Sequence, residues 1–83
     1  MIEIFYTFPN THAVIAAEQA LLSAKIAVKV RPVPNAIRAG CGLCLCVSPE
    51  NVDKAEQTLA EKNIEFFEAY QVENNTFTLI KKK

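Results

Sequence analysis

Val14-Ile15-Ala16-Ala17-Glu18-Gln19-Ala20-Leu21 recurs as Val52-Asp53-Lys54-Ala55-Glu56-Gln57-Thr58-Leu59, and Ile26 recurs as Ile64 at the same offset. The repeated apolar positions fall at i, i+3 and i+7, which is one face of an amphipathic helix whose small alanine lets it sit close on a sheet. Glu18 and Glu56 then mark the polar flank of each copy. Working outward, Asn10 or Thr11 after Pro9 can accept hydrogen bonds from the free amides of the first helix's opening turn. Ser48 before Pro49 plays the same part for the second, because proline is tolerated at the first helical position. Both helices are expected to run three to four turns.

Segments rich in β-branched and aromatic residues flank each helix: Ile2 to Phe8, Ala27 to Arg31, Leu43 to Val47 and Glu65 to Val72. The order is therefore βαβ followed by βαβ. Duplicated in so short a chain, it predicts a ferredoxin-like α+β sandwich, a four-stranded antiparallel sheet with both helices on one face. Asn74-Asn75 suits a two-residue turn, since asparagine tolerates positive φ, and Thr76 to Ile80 can return as a fifth strand. Pro32 and Pro34 cannot donate to a ladder, so the second strand ends there and Pro32 to Gly42 forms a long crossing loop.

The 83 residues, 51% hydrophobic and 22% charged, fit one small soluble domain over residues 1–80 with a basic tail at 81–83. A chain of this size buries only about 60–65% of its unfolded surface, so a homodimer would add stability. Nine basic and nine acidic residues cancel, which argues against a nucleic-acid partner. Met1-Ile-Glu-Ile-Phe-Tyr lacks the basic start of a secretory signal, and no apolar run approaches the ~20 residues that span a bilayer. The expectation is a cytoplasmic protein with no membrane association. Three cysteines cannot all pair within one chain, which favours thiol chemistry over stapling.

Cys41, between Gly40 and Gly42 at the entrance of the third strand, is a poor choice for packing and reads as a reactive group. In a split βαβ arrangement, the start of the first helix and the start of the third strand lie at the same end of the sheet. That brings Thr11 and His12 toward Arg38 and the Gly40-Cys41-Gly42 run. The helix N-terminus and a cation such as His12 or Arg38 would favour the thiolate, the nucleophilic form of a thiol that ordinarily titrates near ~8.5. Cys44 and Cys46 share one face of the third strand, while Leu43, Leu45 and Val47 face the helices. The two cysteines are expected on the open sheet face beside Phe5 and Thr7, with Cys46 a packing residue. Cys41 and Cys44 have the Cys-x-x-Cys spacing of a redox pair, which makes Cys44 a candidate resolving thiol. Three thiols and one imidazole match a Cys₃His zinc set in number only, because a single Cys-x₂₋₄-Cys pair exists; no metal and no cofactor is expected.

Phe8-Pro-Asn-Thr-His12-Ala, then Val30-Arg-Pro-Val-Pro34, then Cys41-Gly42-Leu43, resembles over nearly the whole chain a small bacterial family of selenium/sulfur carrier-like proteins. The resemblance carries over Thr11 and His12 from the first piece and Cys41 and Gly42 from the second. The family usually has serines just before the cysteine where this chain has Arg38-Ala39-Gly40, so a charge replaces hydroxyl donors. The resemblance implies a carrier rather than an enzyme, in which Cys41 holds a persulfide or selenosulfide received from a cysteine desulfurase-like donor and passes it to an acceptor protein. Two other functions fit the residues: a thiol–disulfide switch using Cys41 and Cys44, and a non-catalytic module that binds a ligand or partner.

Overall fold

Five strands and two helices follow one another as β1 (Ile2–Thr7), α1 (Thr11–Ser23), β2 (Val28–Pro32), β3 (Leu43–Val47), α2 (Val52–Glu61), β4 (Glu68–Glu73) and β5 (Thr76–Lys82). The structure is a computed structural model and describes residues 2–33 and 42–82. The strands form a single sheet in the order β2-β3-β1-β4-β5, and every neighbouring pair is antiparallel. The expected ferredoxin-like arrangement is present in β2-β3-β1-β4, with β5 added beside β4.

The repeat works as its spacing implies. Val14, Ala17 and Leu21 of α1 and Ala55 and Leu59 of α2 are buried in one core with Ile4, Tyr6, Leu45, Val47 and Ala69 from one face of the sheet. The repeated isoleucines complete matching helix ends. Ile26 N donates to Leu21 O and Ile64 N to Leu59 O, both at 2.9 Å, across Lys25 and Asn63, which hold positive φ of 64° and 57°. This is the Schellman closure, in which a left-handed residue turns the chain so that the next amide satisfies a carbonyl of the last turn.

The helix starts differ from one another. Asn10, extended at φ −156°, accepts Ala13 N on its side chain at 2.8 Å, so it rather than Thr11 caps α1. Ser48 makes no side-chain capping bond; Pro49–Asn51 form a 3₁₀ turn closed by Asn51 N donating to Ser48 O, and α2 begins only at Val52.

Strand β3 has the expected bounds, and β4 starts three residues later than its composition suggests. Phe66 packs its ring tilted at 59° against Tyr6 with ring centroids 4.8 Å apart, while Phe67 N donates to Thr7 O. Asn74 and Asn75 take φ of 50° and 64°, the pair of positive values that a tight hairpin turn requires. Strand β5 then runs to Lys82, so Lys81 and Lys82 are strand residues rather than a tail, and Lys81 Nζ pairs with Glu56 Oε1 at 2.5 Å. Pro32 stays in the ladder opposite Leu43, which is tolerated because β2 is an edge strand.

Candidate functional site

The end of β1 and the start of β3 lie side by side, with Thr7 opposite Cys44 and Arg31 of β2 opposite Cys44 on the other flank. Val33 N donates to Gly42 O at 2.9 Å, which closes the entrance of β3 against the end of β2. Gly42 is exposed and holds φ at +76°, and apart from its chain neighbours no atom of the described residues lies within 4 Å of where a Cβ would stand. A β-carbon there would strain the backbone, because φ lies in the left-handed region. The three remaining members of the expected cluster, Arg38, Gly40 and Cys41, lie outside the described residues.

Phe8 is buried and anchors the turn into α1, so Thr11 and His12 stand exposed at the first turn of that helix. His12 shares a shallow depression with Pro9, Ala16, Asn63 and Glu65, against the connection from α2 to β4. One of the free amides of this helix start is already taken by the Asn10 side chain.

Cys44 and Cys46 occupy the sheet face turned away from the helices, opposite Thr7 and Phe5 respectively, as the strand alternation requires. That face is not open at this point. Cys44 is 0% and Cys46 4% exposed, in a second cluster with Phe5, bordered by Val33, Tyr70, Val72 and Phe77. In its thiol form Cys44 Sγ donates to Pro32 O at 3.9 Å. The hydrogen bond from Cys46 pulls the Cys44 thiol below its ordinary range, against the opposing cost of burial and with help from Arg31. The same hydrogen bond, with burial next, pushes Cys46 far above it. Of the two, Cys44 is the group that carries an anion first.

The register also shows a charge pattern that reading β2 and β3 separately does not reveal. Lys29 stands opposite Cys46 and Arg31 opposite Cys44 in the ladder, and of the two cations Arg31 acts on both thiols, against Glu3. The signal in the sequence is Lys29-Val30-Arg31 against Cys44-Leu45-Cys46, two alternations whose pairing depends on the register. A groove lined by Glu3, Lys29, Arg31 and Ser48 reaches Cys46 from the edge of the sheet. Among the described residues no three His, Cys, Asp or Glu side chains gather as a metal-holding group, and no helix is long and apolar enough to cross a membrane.

The model of the family described as "Putative Se/S carrier protein-like" matches residues 3–71. That span covers both halves of the repeat, the start of α1 and the Cys41-Gly42 pair, and stops within β4, ahead of the terminal hairpin. No curated protein and no solved structure matches the chain.

Proposed function

The chain belongs to the Se/S carrier protein-like family, and on that premise we propose that it is a carrier whose Cys41 accepts one sulfur or selenium atom from a donor enzyme and hands it to an acceptor protein. The family match is the observation that carries this reading. The entrance of β3 supports it: Gly42, the neighbour of Cys41 in sequence, is exposed, at the sheet end where β1 gives way to α1.

The chemistry needs one nucleophile and no resident cofactor. The Cys41 thiolate attacks the outer sulfur of a donor persulfide, a new S–S bond forms, the donor's S–S bond breaks, and the donor sulfur leaves as a thiolate. Delivery to the acceptor reverses the roles, and no external oxidant enters. Cys44, the other half of the Cys-x-x-Cys pair, is fully buried, so a Cys41–Cys44 exchange would first have to open the second cluster. A carrier makes no such demand.

Incubation with a cysteine desulfurase and free cysteine, followed by intact mass measurement, tests the reading. The wild type is expected to gain the mass of one sulfur atom, and Cys41→Ser, folded by circular dichroism, to gain none. A wild-type protein of unchanged mass, or a Cys41→Ser variant that still gains sulfur, overturns it.

A further inference from the structure

The duplication supplies an internal comparison, because each position of α1 has a counterpart on α2, from Val14 with Val52 onward. On their buried sides the two helices agree; on their outer sides they part. Asp53, Lys54, Ala60 and Glu61 of α2 stand exposed where α1 carries Ile15, Ala16, Leu22 and Ser23, which are exposed as well. Only the exposed glutamine is kept, Gln19 for Gln57. The four α1 residues fall within about 60° of Gln19 around the helix and so form one stripe. Glu18, the one acidic residue of α1, lies about 100° from Gln19 and is half-buried. Ile15 is 45% and Leu22 52% exposed, and Leu22 is the most exposed large hydrophobe among the described residues. A helix that only meets solvent carries charge on its outer face, as α2 does; α1 does not.

We propose that the outer face of α1 is the contact of a homodimer, packed on the same face of a second copy about a two-fold axis at Gln19. Two features commit the face to a second copy. From Ile15 to Ser23 the stripe holds no formal charge, so apposing it to itself brings no like charges together, whereas a charged partner surface would leave its ions unmatched. Its side-chain sizes are also self-complementary. An axis at Gln19 reverses the helix, so Leu22 meets Ala16 of the second copy and Ile15 meets Ser23 of the second copy, large against small on both sides. The two Gln19 amides, each both donor and acceptor, then meet one another. A strip about 20 Å long and about 10 Å wide falls well short of the ~800 Å² per partner of a standard interface, so the dimer is reversible and concentration-dependent rather than obligate.

Sedimentation equilibrium of the full chain under reducing conditions, from about 10 μM to about 1 mM, tests the assembly. The wild type is expected to rise with concentration from the mass of one chain toward that of two. Gln19→Lys and Gln19→Glu, both good helix formers at an exposed position and checked for folding by circular dichroism, each set two like charges at the axis. Each variant alone is expected to associate at least about tenfold more weakly than wild type, and an equimolar mixture at least about tenfold more tightly than either alone, because the axis then joins opposite charges. A wild type that stays monomeric at the top of the range leaves the stripe to a different protein and overturns the proposal. So does either variant dimerising as the wild type does, or a mixture no tighter than its components, since the contact or its axis would then lie elsewhere.

Discussion

Glu56 joins three elements through one carboxylate: Oε2 accepts the Tyr6 hydroxyl of β1 at 2.8 Å, and Oε1 accepts Lys81 Nζ of β5 at 2.5 Å. The two contacts differ in worth. Tyr6 is fully buried, so a hydroxyl deprived of its acceptor loses its hydrogen bond inside the fold, which costs about 1–3 kcal/mol. The Lys81 side chain is 50% exposed, and a pair of that kind contributes about 0–1 kcal/mol after screening and side-chain entropy. Glu56→Ala is therefore expected to destabilise the fold by about 1–3 kcal/mol, and Lys81→Ala by less than about 1 kcal/mol. Urea unfolding of both variants checks the order, and equal losses would contradict it. The sequence marks Glu56 as the polar flank of a repeated helix and goes no further, because its partner on β1 is fifty residues away. The same limit hid the cations opposite Cys44 and Cys46, although the shared face of the two cysteines followed directly from strand alternation.

The two halves of the duplication share helix bodies and helix ends and differ at helix starts. Asn10 places its side-chain oxygen on Ala13 N, whereas the Ser48 hydroxyl is left out because a proline-led 3₁₀ turn separates it from α2. Asn10→Ala is expected to cost about 1 kcal/mol, the usual value of a side-chain cap, and Ser48→Ala only a few tenths, so ~0.3 kcal/mol. Chemical denaturation of the pair distinguishes them, and a Ser48→Ala loss equal to or above that of Asn10→Ala would sink the assignment. A capping residue before proline is legible in the sequence; whether the turn that follows tightens to 3₁₀ depends on how β3 delivers the chain. The later start of β4 has a similar origin, since Phe66 is drawn into the core by Tyr6, a contact no local pattern records. The terminal hairpin meets the opposite case. Asn74-Asn75 specified its turn outright, and β5 then protects its own outer edge, with a register shift opposite Ala69 and Tyr70 followed by Lys81 and Lys82.

At the scale of the whole molecule, one sheet carries two apolar clusters, a large one under the helices and a small one on the reverse face around Phe5, Cys44 and Cys46. The first was legible because a duplicated helix pattern and alternating strands leave one arrangement that buries both. The second was not, because its closure depends on β5 bringing Phe77 to within 6.3 Å of Phe5 between ring centroids. Each cluster contains a group held in its protonated form, and this gives the fold an alkaline limit. Burial, and then the hydrogen bond to Glu56, push Tyr6 well above its ordinary 10.0; the hydrogen bond with Cys44, and then burial, push Cys46 well above 9.0. Below those ordinary values the folded and unfolded chains both keep these protons, so the stability they contribute is fully present. Above them the unfolded chain releases protons that the folded chain retains, and stability falls by about 1.4 kcal/mol per pH unit for each group. Cys44, shifted downward, has the opposite sign: its contribution is complete above the ordinary thiol value and is lost only as pH falls through its folded-state value, so it adds no slope in the alkaline range. Tyr70 is shifted upward by desolvation and then by Glu68, and it adds to the decline above 10.0. Tyr6→Phe removes one proton from this balance and leaves the others. Whatever it does to stability at neutral pH, it is expected to flatten the fall above pH 10 by about 1.4 kcal/mol per pH unit. Urea unfolding of both proteins at about pH 8, 10 and 11 measures the two slopes. Parallel lines would mean that the Tyr6 phenol ionises in the folded protein as readily as in the unfolded chain, and that its bond to Glu56 does not hold the proton in place.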